Sequence, residues 1–88
     1  MNVKMIAGLA LWGWTTLVAA APVDINTADA QVLAVEMRGV GTDRAQAIVQ
    51  YRKEHGPFRT VDELVKVKGI GKKIVEANRV NLIVSSAR

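Results

Sequence analysis

The feature that most constrains this chain is an internal repeat. The segment LAVEMRGVGTDRAQAI, from Leu33, aligns with ELVKVKGIGKKIVEAN, from Glu63, so one pattern returns after 30 residues. Each copy reads as a helix, a Gly-apolar-Gly turn and a second helix. Such units bury their apolar faces against each other rather than alone. The expected fold is therefore all-α: a small bundle of short helices in two halves related by pseudo-two-fold symmetry.

Caps and apolar spacing place four helices. The first follows an N-cap at Asn26 or Thr27, with Val32, Leu33, Glu36 and Met37 at helical spacing. The second starts from Thr42, lines up Ala45, Ile48, Val49 and Arg52, and ends at Gly56 and Pro57. The third has the capping-box pattern Thr60 to Glu63, driving in Val61, Leu64 and Val65. The fourth presents Ile74, Ala77 and Asn78 as its inner face. No alternating run is long enough to build a sheet.

The turns carry the chemistry. Glycines are unfavourable inside helices, so Gly39, Gly41, Gly69 and Gly71 belong where backbone must bend or be approached closely. The first glycine of each pair can take positive φ, and the second lets a ligand near the backbone. Val40 and Ile70 plug back between the helices. The next helix begins at once, with its first N–H groups unpaired and its positive dipole end outward. That combination is an anion site, and phosphate is its usual occupant. Four lysines crowd the second turn: Lys66, Lys68, Lys72 and Lys73.

Charge and composition sharpen this. Residues 1–20 hold one charge, Lys4, before an apolar run ending in small residues, which is the layout of a secretory signal peptide cleaved after Ala20. The run is shorter than the roughly 20 apolar residues of a spanning helix. The expected organisation is a signal peptide over 1–20 and one domain over 21–88, with no stable membrane insertion after cleavage. The latter 68 residues hold 11 Lys or Arg against 8 Asp or Glu, a net of +3. Residues 21–63 balance at −2 and residues 64–88 at +5, so the positive charge gathers at the second turn. There is no cysteine, hence no disulfide, thiolate nucleophile or Cys-based metal site.

The segments VDINTAD, GVG before Ala45, YRKEHGPFRTVDEL and VKVKGIGKK resemble the tandem helix-hairpin-helix DNA-binding domain, specifically the ComEA competence family. The likeness runs from Val23 to about Val84. It implies two helix-hairpin-helix motifs and sequence-independent binding of double-stranded DNA across the minor groove. The signal peptide resembles the periplasmic version of Gram-negative bacteria, which receives DNA during uptake for natural transformation. DNA-uptake pilus or channel components would be further partners. Carried onto this chain, the DNA-binding set is Arg38, Gly39, Val40, Gly41, Thr42 and Arg44 in the first hairpin. In the second it is Lys66, Lys68, Gly69, Ile70, Gly71, Lys72 and Lys73. The family usually has prolines where Arg38 and Thr42 stand here, and Asp43 puts a carboxylate where phosphate would sit, so the first hairpin is expected to be the weaker.

Other residues read blandly. Tyr51 and Phe58 are expected to pack in the core and connector rather than stack on bases. His55, with no second His or Cys, suits a helix C-terminus rather than a metal. No catalytic constellation, cofactor site or metal site is evident, so the chain is expected not to be an enzyme. A protein-interaction or DNA-repair accessory role is the alternative.

Overall fold

The computed structural model describes residues 22–85; the signal peptide expected over residues 1–20, with Lys4, Trp12 and Trp14, lies outside them. Strand β1 (Val23–Asp24) leads into helix α1 (Ala30–Glu36) and the long helix α2 (Gly41–His55). A 3₁₀ helix (Val61–Lys66) follows, then α3 (Lys72–Asn78), a 3₁₀ turn (Arg79–Asn81) and strand β2 (Leu82–Ile83). The helices make the expected all-α body, closed by a strand pair that the sequence did not suggest. Val23 pairs with Leu82 and Asp24 with Ile83, in parallel. Two residues per strand are too few for an alternating pattern to be visible.

The caps differ from expectation in ways that have local causes. Asp29, not Asn26 or Thr27, caps α1, its side chain accepting from the Val32 N–H. Thr42 lies inside α2, which begins at Gly41 and whose N-cap is Val40 without a side-chain bond. The capping box is displaced: Thr60 makes no side-chain cap, and Glu63 Oε1 instead accepts from the Arg59 N–H at 2.9 Å. The C-terminus of α2 agrees with the sequence, Gly56 standing at φ 93°.

The core runs through both halves and includes Ile25, Leu33, Met37, Val40, Ala45, Ile48, Phe58, Leu64, Val67, Ile70 and Val75. The third element has three residues per turn, so Val61 and Leu64 point inward while Val65 turns out, and Val67 and Ile70 in the turn beyond it are buried as well. Val32 and Ala77 likewise face outward, and Val75 takes the inner place expected of Ala77. Tyr51 and Phe58 stack with ring centroids 5.4 Å apart, and the His55 ring also stacks on Tyr51, with centroids 4.1 Å apart.

The displaced Asn26 has a different task. Its Oδ1 accepts from the Phe58 N–H at 2.7 Å, and its Nδ2 donates to the carbonyls of Phe58 and Ser85. Asp24 Oδ1 accepts from the N–H groups of Asn26 and Ser85. These two side chains tie the N-terminal strand, the connector and the C-terminal segment together in a chain that has no disulfide to do so. Burial raises the Asp24 pKa, but hydrogen bonds from Asn26, Ser85 and Thr27 outweigh it and hold the carboxyl below its usual range. A depressed native pKa gives stability that is present above the unfolded value, about 3.9, and is lost as pH falls through the folded value. Asp24→Asn keeps the shape and the Oδ1 acceptor. It is expected to be less stable than wild type at pH 7, the difference closing below about pH 4 in denaturant titrations.

Candidate nucleic-acid interface

Both glycine hairpins are built alike up to a point. The Val40 N–H bonds the Met37 carbonyl at 3.3 Å, and the Ile70 N–H bonds the Val67 carbonyl at 3.0 Å. Gly39 at φ 80° and Gly69 at φ 91° hold the third position of these four-residue turns, where a type II turn requires positive φ. Val40 and Ile70 are buried plugs, so their contribution to a ligand is backbone alone. The second glycines part company. Gly41 begins α2 at φ 64°, whereas Gly71 is extended at φ −103° and ψ 178°, a conformation open to any residue. Gly71 therefore serves access and not backbone strain, since a Cβ there would meet no atom within 4 Å.

The donors of the second hairpin are free. The Gly71 carbonyl takes the N–H groups of Ile74 and Val75, while the N–H groups of Gly71, Lys72 and Lys73 find no acceptor among the described residues. Lys66, Lys68, Lys72 and Lys73 are exposed, and none makes a salt bridge among the described residues. Arg79, which contributes to the +5 balance of residues 64–88, is instead paired with Asp62 at 2.5 Å and Glu76 at 2.6 Å. Its hydrogen bonds to Glu76 and Asp62 raise its pKa further and lower that of Glu76. It adds little to the positive face.

The two hairpins meet. Arg44 Nε donates to the Gly69 carbonyl at 2.8 Å, and Ile74 Cγ1 lies 3.6 Å from where a Cβ on Gly39 would stand. Lys68 and Gly69 share a shallow depression with Asp43, Arg44 and Ala47. Arg38, Thr42, Asp43 and Arg44 are exposed. Asp43 sits in the first turn of α2, where it opposes an anion. Lys66 is set apart, lining a groove with Glu54, His55 and Lys68 along the far half of α2. Asn78 is the residue whose importance the sequence concealed: a buried amide on the inner face of α3, bonded to both the N–H and the carbonyl of Arg38. An amide at a core position with four bonds to satisfy was the available signal. No group of three or more His, Cys, Asp or Glu among the described residues is placed to hold a metal.

Two helix-turn-helix units, crossed so that each hairpin abuts the helix of the other, define a tandem helix-hairpin-helix domain. The helix-hairpin-helix motif family matches residues 18–83, and the chain belongs to that family. It is 45% identical over 60 residues to an uncharacterized protein of Haemophilus influenzae, covering 68% of this chain and 54% of that one. It is 46% identical over 54 residues to ComE operon protein 1 of Bacillus subtilis, covering 61% of this chain and 26% of that protein. A mouse endonuclease/exonuclease/phosphatase family domain-containing protein 1 is 42% identical over 76 residues, 84% of this chain but 13% of its own length. The chain thus spans about half of the first relative and smaller parts of the others.

Proposed function

We propose that this protein is a non-enzymatic module that binds double-stranded DNA through phosphates, without sequence preference, in the periplasm during DNA uptake for natural transformation. The observation that carries the DNA-binding part is the second hairpin: three N–H groups and the lysines Lys68, Lys72 and Lys73, all unpaired among the described residues, held next to the first hairpin. Backbone donors and lysines grip phosphates, which position a duplex but carry no base information. The aromatics that could stack on bases are occupied with one another. Family membership and the similarity to ComE operon protein 1 support the competence setting. The basic, apolar, small-residue order of residues 1–20 supports export. Among the described residues, no helix is long and apolar enough to cross a membrane.

A titration of random-sequence duplex against salt tests the binding mode. For about four to six neutralised phosphates, log K against log salt should slope near −4 to −5. A flat response, or strong preference for one sequence, overturns the mechanism. Export has its own test. The exported protein is expected to begin at Ala21 and, lacking Trp12 and Trp14, to show no tryptophan emission; full-length chain in the membrane fraction would replace this with an anchored form. Similarity to the mouse endonuclease/exonuclease/phosphatase family domain-containing protein 1 favours, as the second reading, an accessory module that works beside such a domain. Removing the chain from its host decides between them, since only the competence role predicts loss of DNA uptake.

A further inference from the structure

Each hairpin is gripped by a side chain carried on the helix that follows the other. Asn78, on α3, is 2% exposed. Its Oδ1 accepts from the Arg38 N–H at 2.7 Å, and its Nδ2 donates to the carbonyls of Arg38 at 3.0 Å and Ile74 at 2.8 Å. Holding both polar groups of one backbone residue fixes how that residue is presented. On the other side, Arg44 of α2 donates Nε to the Gly69 carbonyl at 2.8 Å and lays its stem across the turn. A Cβ on Gly69 would come within 3.3 Å of the Arg44 Cγ and Nε. Arg44 and Ile74 are equivalent positions in the repeat, and each crosses the first glycine of the opposite hairpin.

From this reciprocity we infer that the hairpins form one rigid unit, with Arg44 the positioning residue for the second and Asn78 for the first. Arg44 therefore acts by geometry and not by charge alone. Its Nε is directed at protein, and a planar guanidinium bonded at that atom has a fixed orientation. Lysine keeps the charge but has no donor at the Nε position. Asn78 is buried and reaches a ligand only through the backbone of Arg38. The consequence is that the phosphate spacing read by the domain is set internally and does not adapt hairpin by hairpin.

The effect on affinity rests on the DNA-binding reading above, so the test has an arm that does not. Wild type, Arg44→Lys, Arg44→Met and Asn78→Leu are compared by amide NMR without DNA and by duplex titration across salt. Arg44→Lys is expected to shift the Gly69, Ile70 and Gly71 amides. It should weaken binding about tenfold, nearly as much as Arg44→Met, since one charge-assisted hydrogen bond is lost in both. Asn78→Leu is expected to shift the Arg38 and Gly39 amides and to reduce the salt slope by about one to two. A residue that merely stabilised the fold would leave the slope of the folded protein unchanged. Should Asn78→Leu fail to fold, the Arg44 pair, at an exposed position, carries the test. Arg44→Lys matching wild type in hairpin amides and affinity overturns the clamp. Wild-type protein that binds no duplex overturns the proposed function instead, and the amide shifts alone then decide the clamp.

Discussion

Valine in place of Gly69 is expected to reduce duplex binding by more than tenfold and to lower stability by about 1–3 kcal/mol. Two effects add at this position. The backbone stands at φ 91°, which a β-branched residue resists. The new Cβ would also press at 3.3 Å on the Arg44 stem, which cannot yield without releasing the Gly69 carbonyl. Gly71→Val asks a different question. At φ −103° with no neighbour within 4 Å, it should fold normally. Any loss of binding there reports how closely a phosphate must approach the N–H groups. Denaturant titration separates the two, Gly69→Val moving the midpoint and Gly71→Val leaving it in place. Folded Gly71→Val protein with wild-type affinity and salt slope would show that charge alone suffices. The corresponding first-hairpin changes, at Gly39 and Gly41, should cost less binding because Asp43 already opposes an anion there.

Removing Lys72 and Lys73 together, by Lys→Ala changes, is expected to weaken binding equally for all sequences and to reduce the salt slope by up to about two. Both residues are exposed at the start of α3 and unpaired among the described residues, so no native ion pair is lost. Alanine favours helix, so α3 should persist in circular dichroism. Arg79→Ala is the internal control. It removes an equal kind of charge, but one engaged with Asp62 and Glu76, and should change the slope far less. A slope unmoved by the lysine pair would place the phosphates elsewhere on the surface.

The sequence determined the repeat, the helical class and the two turns, because these follow from local rules. Glycine spacing fixes where positive φ can occur, and Gly39, Gly69 and Gly56 all adopt it. Apolar periodicity fixed Leu33, Ala45, Ile48 and Leu64 as core. Local rules misjudged the caps, where several residues of similar chemistry compete for the same donors. Asn26 and Thr27 were plausible caps for α1, but Asn26 gains more from bridging Phe58 and Ser85, 32 and 59 residues away. The strand pair depends on the same long-range closure, which two-residue segments cannot announce.

At the site, the residue types were legible but their division of labour was not. From sequence, Arg44 and Lys72 stood together in the DNA-binding set, and Arg79 counted toward the basic balance of residues 64–88. Tertiary contacts turned Arg44 onto Gly69, tied Arg79 to two carboxylates and left Lys72 unpaired among the described residues. Gly41 and Gly71, the second glycines of their turns, looked alike until the fold gave one a positive φ and the other an extended one. The amide of Asn78 had no visible purpose until α3 packed beside Arg38, 40 residues earlier in the chain. The positive φ at the first glycine of each turn is decided within a few residues and can be read from them. The partner of a long polar side chain is decided by which distant backbone the packed helices bring within about 3 Å, and only the folded chain supplies that.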